Sequence, residues 1–291
     1  MTGLNPRLAR IKSVLICPRC AEDLTFGAAA TCGRCGAIYP IRDGRIYFTE
    51  TPASTDSLDR LKGRLKRRLG RYYYRIGVTI LAPTYPFNYR RWVRRHVNPD
   101  TQVVVDVGCG NHRIDEDVIG LDLVDYEAVD IVCDLRTLPF RPDSVDAFVS
   151  RGLLEHVPDP ARVVAELARC TRPGGKGLHL IPFLFPFHAS PHDFHRYTHK
   201  GLQLLFADWT IVDQTNPTGP VTLWLIATIE LLSVLLSFGS ERLRPYAYLL
   251  LCGLLFPLKF LDAPFVNRQR LLTLALTIAT VVRKGGGPAV A

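Results

Sequence analysis

Val103-Val104-Val105-Asp106-Val107-Gly108-Cys109-Gly110-Asn111 decides the reading of this chain. Valine fills four of the five positions from Val103 to Val107, a β-branched density that suits a strand buried on both faces of a parallel sheet. The run ends in a Gly-x-Gly turn, where bare backbone N–H groups can come close to a ligand. Alone, such a turn is an ordinary strand exit. The two apolar runs downstream give it meaning. Val118-Ile119-Gly120-Leu121-Asp122-Leu123 carries an acid near its end, placed to meet ribose hydroxyls. The next run, Val129 to Cys133, leads into Asp134-Leu135, an acid beside an apolar side chain, which suits an adenine.

Further along stand Asp143-Ser144-Val145-Asp146-Ala147-Phe148-Val149-Ser150, Leu154-Glu155-His156-Val157 and Arg172-Pro173-Gly174-Gly175-Lys176. The pattern predicts strands at 102–107, 118–123, 129–133, 145–150, 176–182 and 209–215. Helices are predicted at 159–171 and 199–207, the first opened by Asp159-Pro160 as cap and first turn. Strands alternating with crossovers give a doubly wound α/β sheet, with its ligand at the strands' carboxyl ends.

In series these motifs closely resemble the class I S-adenosylmethionine (SAM)-dependent methyltransferases, in the branch of small-molecule and quinone methylating enzymes, over about residues 99–215 and one late strand. The resemblance implies a seven-stranded Rossmann-like sheet. It places Asp106, Gly108, Cys109, Gly110 and Asn111 at the methionine end of SAM, Asp122 and Leu123 at the ribose, and Asp134 and Leu135 at the adenine. Ser150 and Arg151 would close the floor. Two departures stand out. His112 follows Asn111 where the family's loop has a third glycine, and the piece from Gly110 to Val118 is too short for a full crossover helix. Glu155 and His156 repeat a pair the family often carries after its fourth strand, with helix capping an equal reading of them.

After the fifth strand comes Phe187-His188-Ala189-Ser190-Pro191-His192-Asp193-Phe194-His195-Arg196-Tyr197-Thr198. A similar Pro-His-Asp-aromatic-x-Arg-aromatic-Thr string marks one methyltransferase branch. Methyl transfer needs donor and acceptor aligned and, for a hydroxyl acceptor, a proton removed. His192 or His195 would be the base, oriented by Asp193, while Arg196 would hold an anionic group of the acceptor. A lid knitted by its own hydrogen bonds and a His-His-Asp metal site are the other readings of this stretch.

Before the core, Cys17-Pro18-Arg19-Cys20 and Cys32-Gly33-Arg34-Cys35 form two knuckles with eleven residues between them. Four thiolates so spaced suit tetrahedral, structural Zn²⁺, and residues 1–50 resemble the zinc ribbon that precedes many bacterial methyltransferase domains. Residues 51–98 form a linker and lid. No acid occurs from Arg60 to Pro99, and Leu58, Leu61, Leu65 and Leu69 recur at helical spacing among Lys and Arg. That is a basic amphipathic helix suited to anionic lipid, and Tyr72, Tyr73 and Tyr74 suit a membrane interface or RNA bases alike. Tyr85 to Trp92 would be a lid over SAM.

Residues 216–265 hold two apolar runs, Val221 to Phe238 and Tyr246 to Leu258. They are shorter than the ~20 residues a spanning helix needs, so a helical hairpin inserted between strands six and seven is expected, packing on the domain, dimerising or dipping into one leaflet. Residues 266–291 would supply the last strand, Leu271 to Val282, and a tail. A net charge of +9 favours anionic partners, and eight cysteines beside a nucleoside site read as metal ligands and buried thiols of a cytoplasmic protein. The expectation is a SAM-dependent enzyme acting on a small or lipid-linked acceptor, peripheral at the inner face of the cell membrane. An RNA methyltransferase is the second reading, although no Asn-Pro-Pro-Tyr-type clamp follows strand four. A non-catalytic SAM sensor or scaffold is the third.

Overall fold

The computed structural model describes residues 3–51, 81–188 and 192–285. Helix α1 (Pro6–Ile11) starts at Asn5, whose side chain accepts the Leu8 N–H at 3.0 Å, with proline in its first turn. An antiparallel meander follows, of β1 (Leu24–Phe26), β2 (Ala29–Cys32), β3 (Ile38–Arg42) and β4 (Arg45–Tyr47). Asp43 and Gly44 turn β3 into β4 with φ of 50° and 77°, the backbone a two-residue hairpin turn requires.

After helix α2 (Tyr89–His96) come the parallel strands β5 (Val104–Val107), β6 (Ile119–Asp122), β7 (Ile131–Val132), β8 (Val145–Arg151) and β9 (Thr171–Pro182), with helix α3 (Pro160–Cys170) between the last two. Helix α4 (His199–Leu205), β10 (Trp209–Thr215), helices α5 (Pro220–Leu236) and α6 (Arg244–Leu255), and β11 (Thr277–Lys284) complete the chain. The strands lie in the order β1-β2-β3-β4-β7-β6-β5-β8-β9-β11-β10. β11 runs antiparallel to both β9 and β10. The direction of winding reverses between β5 and β8, so the crevice beyond their carboxyl ends is where a ligand belongs.

Side chains alternate along β5, as a strand requires. Val105 and Val107 pack in one cluster with Leu8 and Ile11 of α1 and Val163 and Leu167 of α3, while Val104 packs in a second with Trp92 and Val93 of α2. Between Gly110 and Val118 there are turns and no helix. α1 contributes to the apolar cover over β5 and β6, and Arg113 braces the loop, donating to the Val118 carbonyl at 2.8 Å and the Ala128 carbonyl at 2.7 Å.

The N-terminal module is continuous with the core. β4 pairs in parallel with β7, Ile46 opposite Ile131, so the seven strands β7-β6-β5-β8-β9-β11-β10 run on into the meander as a sheet of eleven among the described residues, where the sequence reading expects a separate ribbon. Buried Asp130 ties the parts together. It accepts from Asn5 Nδ2 (2.9 Å), Arg7 Nη2 (2.9 Å), Arg113 Nη1 (2.8 Å) and the Gly120 N–H (2.9 Å). Burial pushes its carboxyl up, but the arginines outweigh this and hold it below the usual range.

The stretch expected to be a strand from Leu271 curls into 3₁₀ turns at Gln269–Leu274, because buried Asn216 donates to the Leu271 and Leu274 carbonyls at 3.2 and 3.4 Å. α5 and α6 form a hairpin held by Ile229, Leu251 and Cys252. Its base is latched by buried Asp262, which accepts the Val221 and Thr222 N–H groups at 2.8 and 2.6 Å. Much of its apolar surface faces outward: Phe238 at the tip is 94% exposed, and Leu231, Leu235, Tyr246, Leu249, Leu250 and Leu254 are exposed too. The helical run Arg244–Asp262 is long and apolar enough to cross a membrane by length and composition. The basic segment around Leu58 to Tyr74 lies outside the described residues.

Candidate active site

At the end of β5, Asp106 is buried, with Oδ2 2.8 Å from Arg151 Nη2 and Oδ1 without a partner among the described residues. Burial pushes this carboxyl up to about 6, against the pull of Arg151. Gly108 and Gly110 have φ of 68° and 57°, a backbone other residues rarely adopt. A Cβ on Gly108 would lie 2.6 Å from Leu153 Cδ1. The Gly108 and Cys109 N–H groups donate to the Leu121 carbonyl (2.8 and 3.2 Å). Asp122, at the end of β6, accepts the Gly110 and Val124 N–H groups at 2.9 and 3.0 Å, and burial holds its carboxyl above the usual range.

Cys109 is buried, Asn111 exposed and Leu123 41% exposed. Beyond β7, Asp134 pairs with Arg136 (2.5 Å), whose hydrogen bonds lower its carboxyl, and Leu135 packs against the main core. Ser150 is buried with Oγ 2.8 Å from His179 Nδ1. Arg151 reaches across the crevice, donating to the His112 carbonyl at 2.7 Å, with its guanidinium 5.4 Å from the Tyr89 ring centre. Thus acids stand at or just beyond the ends of three adjacent parallel strands, round a glycine loop. A buried acid with a free oxygen and backbone without Cβ atoms fit a nucleoside ligand with a cationic end.

Beside this loop lies a cavity of about 630 Å³ lined by, among others, Tyr85, Tyr89, Arg151, Glu155, His188 and Thr218. Residues 84–89 form one wall, tied to the hairpin by the Tyr85 N–H, which donates to Thr222 Oγ1 at 3.0 Å. Glu155 sits in a 3₁₀ turn (Leu154–His156) just after β8. It is 1% exposed, its Oε2 has no partner among the described residues, and burial pushes its carboxyl up to about 7.

The four residues singled out beyond β9 are placed differently. Asp193 pairs with Arg196 through both carboxylate oxygens and accepts the His188 N–H at 2.9 Å; those Arg196 bonds hold its carboxyl down, to about 2. Arg196 also donates to the Phe185 carbonyl at 2.9 Å and to the Pro186 carbonyl at 3.1 Å. Its donors are thus used within the loop. His195 Nε2 lies 3.3 Å from the Pro158 carbonyl, and the His192 carbonyl faces His156 Nδ1 at 2.5 Å. Neither His192 nor His195 is among the cavity's lining residues, whereas Glu155 and His188 are. The sequence signal for Glu155 is an acid between Leu154 and His156 just after β8, and for His188 its place in the loop six residues beyond β9.

In the N-terminal module the four cysteines converge, Cys17 Sγ 3.6 Å from Cys35 Sγ and Cys20 Sγ 3.4 Å from Cys32 Sγ. Thiolates about 2.3 Å from a tetrahedral Zn²⁺ stand about 3.8 Å apart, so the donor set fits that ion.

A family model described as a methyltransferase domain matches residues 105–178, from β5 into β9. The chain is similar to mouse (Mus musculus) tRNA (carboxymethyluridine(34)-5-O)-methyltransferase, 38% identical over 98 residues, covering 28% of this chain and 14% of that protein. It is also similar to the ubiquinone biosynthesis O-methyltransferase of Burkholderia thailandensis, 32% identical over 110 residues, covering 29% of this chain and 46% of that one. The chain therefore spans less than half the length of these curated relatives. Among solved structures, phosphoethanolamine N-methyltransferase 2 of Haemonchus contortus matches 77% of this chain and 60% of its own at 15% identity and a TM-score of 0.46. A SAM-dependent methyltransferase from Mesorhizobium loti matches 66% and 95% at 17% identity and 0.39.

Proposed function

We propose that the chain is a SAM-dependent methyltransferase of the small-molecule branch, acting on a small or lipid-linked acceptor at the cytoplasmic membrane face. The observation that carries the reading is the cavity of about 630 Å³, set between the glycine loop and the base of the exposed apolar hairpin. SAM supplies an electrophilic methyl on a sulfonium sulfur. Asp106, Gly108, Cys109, Gly110 and Asn111 hold its methionine end, Asp122 and Leu123 its ribose, Asp134 and Leu135 its adenine, and Ser150 with Arg151 the floor. Asp106 and Arg151 then share the charged groups of the methionine end, Asp106 facing the ammonium and Arg151 the carboxylate.

Glu155, His188 and His112 line the cavity and can take a proton from an acceptor hydroxyl, the first two as long as they hold no metal ion. His192, Asp193, His195 and Arg196 act one step back: their hydrogen bonds fix the loop that carries His188 and buttress His156. Structural zinc held by Cys17, Cys20, Cys32 and Cys35 secures the N-terminal meander against the sheet edge. The hairpin lies in the lipid interface with Phe238 leading, and basic residues around it meet anionic headgroups.

Flotation with vesicles tests the membrane part. The protein floats with anionic vesicles and less with neutral ones, while Phe238→Glu/Leu249→Glu protein stays at the bottom of the gradient. Wild-type protein that remains soluble beside anionic vesicles at physiological salt removes the membrane from this account. RNA is the second reading, favoured by the tRNA-modifying relative and the charge of +9; transfer of methyl into RNA alone would establish it.

A further inference from the structure

We propose that Glu155, His156 and His188 form a second metal site, on the wall of the cavity, for a divalent transition-metal ion with a coordination position open to an oxygen of the acceptor. One donor atom from each of the three residues lies within 4.8 Å of the other two. Glu155 Oε1 stands 3.8 Å from the Nε2 atoms of both His156 and His188, and the two rings meet edge to face with centroids 5.1 Å apart. Ligands about 2.0–2.1 Å from a tetrahedral ion are about 3.3 Å apart, so the carboxylate-to-imidazole gaps close by about half an ångström on binding. The donors come from two segments, the turn after β8 and the loop after β9, which makes that adjustment a small loop movement.

Hydrogen bonding at the far side of each ring sets the tautomer. His156 Nδ1 faces the His192 carbonyl at 2.5 Å, and His188 Nδ1 faces the Pro186 carbonyl at 3.2 Å. A carbonyl oxygen only accepts, so the Nδ1 of His156 carries the hydrogen, and the Pro186 carbonyl, nearer to His188 Nδ1 than Arg196 Nη2 at 3.5 Å, places it likewise there; each ring then turns its Nε2 to Glu155. This carbonyl–histidine pairing is the outer shell that orients metal-bound imidazoles. The carboxylate supplies an independent sign: Glu155 is 1% exposed, yet its Oε2 has no hydrogen-bond partner among the described residues. An unpaired buried carboxylate oxygen is costly, and binding a cation is a way to satisfy it. Arg196, 3.5 Å from His188 Nδ1, is paired with Asp193, and Arg151 with Asp106.

Two imidazoles and one carboxylate suit ions of the zinc, cobalt(II) or iron(II) class and leave room for an exogenous oxygen ligand. Glu155 and His188 line the cavity, so that open position faces the acceptor. The site differs in chemistry from the four-thiolate cluster, and cobalt(II) tells them apart. Titrated into the full-length reduced protein, cobalt gives one class of site with thiolate-to-metal charge transfer and a second equivalent without it. His156→Ala and His188→Ala each weaken the second class at least tenfold and leave the thiolate band intact, which also reports that the fold survives. Glu155→Gln, which keeps the side chain's shape, weakens it likewise, and His199→Ala leaves both classes unchanged. A wild-type protein showing only the thiolate class, or a second class that persists in His156→Ala/His188→Ala protein, overturns the proposal.

Discussion

Replacing Arg151 with alanine exposes the electrostatics of the glycine loop. Asp106 is fully buried and its carboxyl is pushed up to about 6 even with Arg151 Nη2 2.8 Å away. Folding therefore favours the protonated form, and the native protein loses stability as pH climbs from about 4, the unfolded value, to about 6. In the wild type that loss stops there, because Arg151 accommodates the ion. Without Arg151 the midpoint moves higher and the loss continues. The Asp106 share of the penalty is then near zero below pH 5 and grows above about pH 6 by up to roughly 1 kcal/mol per pH unit. Arg151 also donates to the His112 carbonyl and lies over Tyr89, which adds about 1–2 kcal/mol at every pH. Urea unfolding of wild type and Arg151→Ala at pH 5, 7 and 8 reads both parts, and Asp106→Asn/Arg151→Ala removes the pH-dependent one. A penalty that stays flat from pH 5 to pH 8 refutes the reasoning.

Asp115 behaves oppositely: hydrogen bonds from Arg94 and then Arg90 hold its buried carboxyl well below the usual range, so its contribution is present above about pH 4 and disappears as pH falls through the folded value. Asp115→Asn is expected to lose about 2 kcal/mol at pH 7, with a correspondingly shallower acid limb in unfolding curves measured down to pH 2. Gly219 opens α5 with φ of 80°, and a Cβ there would lie 2.3 Å from Asp262 Oδ1; Gly219→Ala strains the turn and displaces the cap, for about 2–3 kcal/mol in denaturant unfolding. Chelating the zinc proposed at Cys17, Cys20, Cys32 and Cys35 should loosen β4 from β7, read as faster hydrogen exchange at the Ile46 and Phe48 amides, which bond to the Asp130 and Val132 carbonyls, while β8 amides stay protected.

What the sequence made legible was local. The valine run sets β5, Asp159 caps α3 by accepting the Arg162 N–H at 3.1 Å, and Thr198 caps α4 by accepting the Gly201 N–H at 3.0 Å; each signal lies within four residues of its effect. The long-range features were not written in any spacing. Asp130 gathers Asn5, Arg7 and Arg113 from more than a hundred residues and from seventeen residues away, and β4 joins β7 through backbone bonds that side-chain patterns do not encode. β11 begins late because Asn216, more than fifty residues back, holds the carbonyls of Leu271 and Leu274. The site shows the same division. Asp106, Gly108 and Asp122 lie at strand ends that the pattern marks, whereas which of the four histidines and acids from His188 to His195 lines the cavity depended on which face the loop turns inward, and Arg196 spends its donors on Asp193 and the carbonyls of Phe185 and Pro186.

The central claim is methyl transfer from SAM, and the direct measurement traces labelled methyl from SAM into a fractionated extract of the source cell, with Asp106→Ala protein as the blank. The account predicts label in the organic-solvent fraction with wild-type protein and none with the blank. Wild-type protein that binds SAM but transfers label to no fraction would contradict it.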